Sequence, residues 1–373
     1  MRSRRRTVLR ISPQLVQLCR IISPVVGGTL HSVVEDSSRS RLVVDDDLVV
    51  LARRRHRVGP LLHQAAVTMG GVVSAAALGA LSQDRRDNER RQAVAGVVLQ
   101  DVAHRFSNNG IRWTLMKGLG LARQLYSDPA LRPSADIDVL VSAEDFQPAI
   151  RALESNGFRN VTGHPRPAFK AAAAYLFRDV TFRGPIGPRI ELHQRPFFID
   201  GRHSRIAPLV PAMGCGPLPV PAVDSDLAHY LLGHGALCYW ARLKWLVDLV
   251  PLLAMLDDAA KAELLSKSRR AQTASSICAS LVLLRVLFPG AALGPLEPWM
   301  DSERCNPKVA RRLAHYVQAL DAPDLLGRTP LDNRVRALQA NLSFSQAIVP
   351  RLRALTFGPA ASFLRTITRT QAP

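Results

Sequence analysis

Lys117-Gly118, followed by Arg132-Pro133-Ser134-Ala135-Asp136-Ile137-Asp138-Val139-Leu140-Val141, is the stretch on which the fold turns. Its last six residues alternate as a β-strand, with Ile137, Val139 and Val141 on one face and Asp136 and Asp138 on the other. Two carboxylates on one strand face repel each other and lose hydration if even partly buried. The commonest remedy is a hard divalent cation with oxygen ligands. A solvated edge strand with two surface acids is the alternative, but the three apolar residues opposite imply a strand packed on a core. Upstream, residues 111–116 alternate as a second strand that runs into Lys117-Gly118-Leu119-Gly120 and a helix-like segment over 121–126. Such a turn places backbone N–H groups and a lysine where a phosphate could sit. Glycine there is also a plain backbone necessity. The Arg-Pro-x-x-Asp-x-Asp that follows makes the combination specific.

The array resembles the DNA polymerase β-like nucleotidyltransferase superfamily, whose pattern is a glycine turn, a helix, Asp-x-Asp on a strand and a third carboxylate on a later strand. More closely, LMKGLGLARQLYSDPALRPSADIDVLV (115–141) is similar to an uncharacterised bacterial nucleotidyltransferase family. That family reads Lys-Gly, a Tyr-Pro-like turn, Arg-Pro-x-x-Asp-Ile-Asp-Leu-Leu-Val and a later Glu-Leu-His. The resemblance covers residues from about 41 to 260 and thins at both ends; Leu119 stands where the superfamily has a second small residue.

The resemblance implies an α+β fold: a polymerase β-like core, a small mixed sheet with helices, flanked by N- and C-terminal helical regions. It also implies transfer of a nucleoside monophosphate from an NTP to an acceptor hydroxyl, dependent on Mg²⁺ or Mn²⁺. Such transfer leaves little covalent work to the protein, and two ions about 3.5–4 Å apart often neutralise the triphosphate and position the acceptor. Asp136, Asp138 and Glu191 are then the catalytic, metal-holding carboxylates. Lys117 and the Gly118 turn would contact the β- and γ-phosphates, and Arg132 is the expected bidentate phosphate clamp. Removing one of two repelling aspartates should leave the metal-free fold as stable as before, or more so.

Two further strands, 175–183 and 189–194, form an expected hairpin across Gly184-Pro185-Ile186-Gly187-Pro188. On the second, Glu191 and His193 share a face. Asp179 competes with Glu191 as third carboxylate; the Ile-Glu-Leu-His context that matches the family favours Glu191. His193 either orients a phosphate or a ligand carboxylate, or is a hydrogen-bonded structural histidine.

Around this core the chain divides into a basic arm (1–40), a helical region (41–110), the nucleotidyltransferase core (111–206) and a C-terminal helical region (207–373). The acid-free, arginine-rich start reads as a flexible arm or an added short helix. Asp45, Asp46 and Asp47 precede a helix that Arg53-Arg54-Arg55-His56-Arg57 closes, and Pro60 opens the next. A longer helix spans 83–108. Asp224 caps a helix from about 225 to 238, and another over 240–256 is expected to be interrupted or kinked at Pro251. Within it, Leu243-Lys244-Trp245-Leu246-Val247-Asp248-Leu249 matches a family run; Trp245 and Leu249 read as core and Asp248 as a buried or capped helper.

The net charge of +19 attracts polyanions in general. Because the excess is overwhelmingly arginine in an alanine- and valine-rich chain, coding bias explains it equally well. The 53–57 cluster and the basic tail (Arg311, Arg312, Arg334, Arg336, Arg351, Arg353, Arg365, Arg369) are candidate RNA contacts, or solvated faces. Aromatic residues are only 6%, which argues against stacking platforms for single strands. Five cysteines without metal-ligand spacing fit a reduced, cytoplasmic setting, and no run of eighteen apolar residues predicts a membrane span. A non-catalytic nucleotide- or RNA-binding protein that retains the fold is the rival function, but all three acids are present. The acceptor could be a small molecule, a peptide, a protein or RNA, with RNA slightly disfavoured.

Overall fold

The computed structural model describes residues 11–27, 43–70, 72–161, 179–196 and 218–322. Helix α1 (Pro13–Val26) starts at Ser12, whose hydroxyl accepts from the Leu15 N–H. Strand β1 (Val43–Val44) precedes α2 (Asp46–Val50), which Asp45 caps by accepting from the Leu48 N–H at 2.7 Å. A π-helical stretch, Leu51–His56, follows, and Arg57 closes it in the left-handed conformation. Next come α3 (Gly59–Thr68), with Pro60 in its first turn, and β2 (Val72–Val73), parallel to β1. The arm thus contributes a helix, and that helix is docked: Leu15, Leu18, Ile21 and Ile22 are buried against the helical core.

Helix α4 (Ala75–Asn108) begins eight residues before the expected 83 and is about 50 Å long at 1.5 Å per residue. Its first turns pack into the helical core through Ala77 and Leu81, and its last turns lie under the sheet through Val98, Leu99, Val102 and Phe106. Between them the buried Asn88 and Gln92 hold the loop that leads to the aspartate strand. Asn88 Nδ2 donates to the carbonyls of Ala130 (2.8 Å) and Arg132 (3.1 Å), and Gln92 Nε2 to that of Pro129 (2.6 Å).

The sheet comprises β3 (Trp113–Leu115), β4 (Asp136–Val141), β5 (Arg159–Asn160), β6 (Asp179–Arg183) and β7 (Arg189–His193), in the order β3-β4-β7-β6-β5. Only β4 and β7 run parallel; the other neighbours are antiparallel. Helix α5 (Leu119–Leu125) follows β3, and α6 (Phe146–Glu154) follows β4. Ile137, Val139, Val180, Phe182, Ile190 and Leu192 bury one face of the sheet against α4 and α6. The opposite face carries the acids, and at its far end Leu140 joins the helical core. Residues 175–178 of the expected hairpin lie outside the described residues.

The remaining helices are α7 (Ser225–Leu237), α8 (Leu243–Val247), α9 (Leu249–Met255), α10 (Asp258–Arg270), α11 (Ala274–Leu287), α12 (Leu296–Ser302) and α13 (Pro307–Asp321). Their core is continuous with that of α1 and α3. Arg55 seals this union. Buried, it donates to the carbonyls of Ala319, Leu320 and Ala322 at the end of α13 and to that of Ala241. Arg53 pairs with Asp84 through two bonds of 2.8 Å. Of the basic cluster, Arg55 is therefore turned inward and Arg53 is half-buried in a salt bridge, while Arg54 and Arg57 are exposed. The helix is interrupted, but three residues ahead of Pro251, at Asp248: a continuous helix would leave the Val247 carbonyl facing a proline without an N–H, whereas Pro251 sits without cost in the first turn of α9. The tail arginines from Arg334 onward and Cys215 lie outside the described residues; Cys19, Cys238, Cys278 and Cys305 form no disulfide with one another.

Two buried histidines make the fold acid-sensitive. His56 Nδ1 accepts from the Leu243 N–H (3.2 Å), and His229 Nε2 meets Thr273 Oγ1 (3.0 Å). Burial, then Arg55, pushes the His56 pKa down to about 3; burial, then Lys267, pushes that of His229 to about 4. The unfolded chain takes up both protons near pH 6.5 while the native state refuses them, so stability is present above 6.5 and is lost as pH falls toward those values. Glu191, raised to about 7, opposes this with one proton against two. Melting temperature should therefore drop as pH is lowered from 6.5 to 5; a level profile over that interval would contradict the buried neutral state.

Candidate active site

The Gly118 turn places the site. Its φ of +69° is open to glycine, and a Cβ there would lie 3.0 Å from Ser134 Oγ and 3.3 Å from the Asp136 carbonyl. Leu119, the departure from the superfamily pattern, is buried in the core beneath the sheet. Ser134 donates to the Asp136 carbonyl (3.0 Å), and the Met116 N–H donates to the Asp138 carbonyl (3.0 Å), so the turn is laced to β4.

Arg132 does not present a fork to a phosphate. Its Nε and Nη2 donate to Asp248 Oδ1 and Oδ2, both at 2.8 Å, and its Nη1 donates to the Gly118 carbonyl at 3.0 Å. Tyr126 OH also donates to Asp248 Oδ1 (2.8 Å). Burial opposes the guanidinium charge, but Asp248 outweighs it and raises the Arg132 pKa. The expected clamp is thus a brace, because a carboxylate on the helical region fills its bidentate face. Asp248, read from sequence as a helper, is that carboxylate.

The register sets the acids. Asp138 lies directly beside Glu191, and Leu140 beside His193, across the parallel β4–β7 pair. Ligand atoms of Asp138, Glu191 and His193 lie within 4.8 Å of one another. Asp136 shares their face two residues earlier but stands outside that group, and it is less buried than Asp138. Asp179 faces His193 from β6, one strand further out, and is also outside the group.

Asp138 is fully buried. Lys117 Nζ donates to its Oδ1 at 2.8 Å, and His193 Nε2 lies 3.2 Å from the same oxygen. Burial alone would raise the Asp138 pKa, but Lys117 and His193 hold it well below the usual carboxylate range. An ionised carboxylate only accepts, so His193 Nε2 is the donor. Asp138 Oδ2 is buried and has no hydrogen-bond partner among the described residues. Glu191, whose Oε2 is 3.7 Å from His193 Nε2, is pushed up to about 7 by burial and by the charges of Asp138, Asp136 and Asp179, against Lys117. An orphaned buried oxygen beside a carboxylate that resists ionising is the electrostatics of a place short of positive charge. The donor set therefore fits a divalent cation at Asp138 Oδ2.

A family of uncharacterised nucleotidyltransferases matches residues 43–289. The chain belongs to this family. The match runs from β1 through the end of α11 and so takes in both the sheet and the α8–α9 junction that carries Asp248. No curated protein and no solved structure matches the chain. The mixed sheet with flanking helices is the nucleotidyltransferase core that the family implies. Sequence reasoning passed over Lys244, whose ammonium donates to the Pro133 carbonyl at 3.4 Å just ahead of the aspartate strand, and its neighbour Arg242; the signal was the Leu-Lys-Trp run itself, read there only for its core residues.

The two aspartates should differ when neutralised, contrary to the symmetric expectation from sequence. Asp138→Asn leaves the Lys117 ammonium without its counter-ion and should cost on the order of 3 kcal/mol. Asp136→Asn, at a partly exposed position, should stay within about 1 kcal/mol of the parent. Urea denaturation without divalent ions checks the pair, and equal losses would contradict the asymmetry.

Proposed function

We propose that the chain transfers a nucleoside monophosphate from an NTP to an acceptor hydroxyl, with Mg²⁺ or Mn²⁺ held by Asp138, Glu191 and Asp136. The observation that carries this is Asp138 Oδ2, a buried carboxylate oxygen left unpartnered in a nucleotidyltransferase-family chain. A bound divalent ion would supply charge neutralisation on the triphosphate. The protein's own groups orient the ligand. Lys117 and His193 both occupy Oδ1, so Asp138 offers only Oδ2 to the ion. Glu191 completes the set, and the ion restores the charge that its neighbouring carboxylates oppose. Lys117, with donors beyond the one spent on Asp138, reaches the phosphates, and the Gly118 turn leaves the backbone open to their approach.

The proposed acceptor is a small molecule, a peptide or a protein in preference to RNA. The engagement of Arg53 with Asp84 and of buried Arg55 with carbonyls supports this preference, since half of the arginines at 53–57 serve the fold. The full-length chain should be incubated with each α-labelled NTP and Mg²⁺ or Mn²⁺, with cell extract and with purified cell RNA. Label should appear on a non-RNA acceptor and should be lost in Glu191→Gln and Asp136→Asn. Label on RNA would reverse the acceptor preference, and no transfer from any NTP would refute the assignment.

A further inference from the structure

Arg242 and Lys244 are partly buried cations that make no direct salt bridge among the described residues. Lys244 spends one donor on the Pro133 carbonyl at 3.4 Å, and Arg242 lies with its Cζ 5.8 Å from the centre of the Trp245 ring. Burial, then Arg132, pushes the Lys244 pKa down to about 8, against Asp248 and Asp136; burial, then Arg57, lowers that of Arg242, with Asp136 again acting the other way. Both therefore feel Asp136, at the more exposed end of the acid pair.

The backbone that presents them is strained and tightly held. Tyr239 and Trp240 both take positive φ (53° and 51°), as does Arg57 (58°), a conformation that bulky residues rarely adopt. Trp240 is locked there: its indole N–H donates to Ser280 Oγ (2.8 Å), and its ring lies so close over Gly235 that a Cβ would meet it at 2.2 Å. Leu243, between the two cations, donates its N–H to the buried His56. Strain of this kind persists where surrounding contacts over-determine it, and it gathers at ligand sites.

We propose that Arg242 and Lys244 hold the β- and γ-phosphates of the NTP, the part that leaves as pyrophosphate. The assignment rests on the transfer function proposed above, and it fills the role expected of Arg132. As the acceptor hydroxyl oxygen bonds to the α-phosphorus, its proton passes to water, the bond from that phosphorus to the bridging oxygen breaks, and that bond's electron pair leaves with pyrophosphate. The growing charge would meet two partly buried cations carried on a tightly held backbone, which lowers the reorganisation needed.

Inorganic tripolyphosphate tests this without knowledge of the base. Titrated calorimetrically into the full-length chain with Mg²⁺, it should bind, and Lys244→Met and Arg242→Gln should each weaken it by about 10-fold or more. Lys244→Met should melt at or above the parent temperature, because a partly buried cation without a direct salt bridge has been removed. Unchanged affinity in both variants would overturn the assignment while NTP labelling kept the transfer function intact. Weakened binding accompanied by a large loss of melting temperature in both would show a structural role and overturn it equally. A parent chain that bound neither tripolyphosphate nor any NTP would remove the transfer function itself.

Discussion

The buried Arg132–Asp248 pair joins the sheet to the helices. Desolvating two charges is expensive and is offset only when geometry and additional hydrogen bonds are good. Here the fork is filled on both prongs, the remaining guanidinium nitrogen takes the Gly118 carbonyl, and Tyr126 supplies a further donor to the carboxylate. The glycine turn beside Lys117 and the helical region that carries Asp248 are tied to each other through this pair.

Unsatisfied groups cluster where the ligand would sit. Asp138 Oδ2 has no partner among the described residues, Glu191 is held against ionisation, and Lys244 and Arg242 make no direct salt bridge there. A divalent cation would answer the first two and a polyphosphate the last two. Other polar side chains serve the fold: Arg55 caps α13, Arg53 pairs with Asp84, and Asn88 and Gln92 hold loop carbonyls.

What the amino-acid order determined was local. Period-two alternation defined β4 to the residue, Asp45 and Asp224 capped the helices they precede, and the left-handed Gly118 lay where a strand meets a helix. These features depend on neighbours a few residues away, so they are written in short stretches. The Glu-Leu-His context singled out Glu191, and the parallel register places it beside Asp138. Tertiary structure decided the rest. Arg132 is paired with a residue 116 positions away, Arg55 with carbonyls more than 260 away, and His193 with Asp138 across 55. No periodicity encodes such partners, because a guanidinium fits a phosphate or a carboxylate equally well until packing delivers one of them. The same holds for Arg242 and Lys244: their sequence is an ordinary helix start, and only the bend at Tyr239 and Trp240 and the partial burial of both side chains set them apart from other cations.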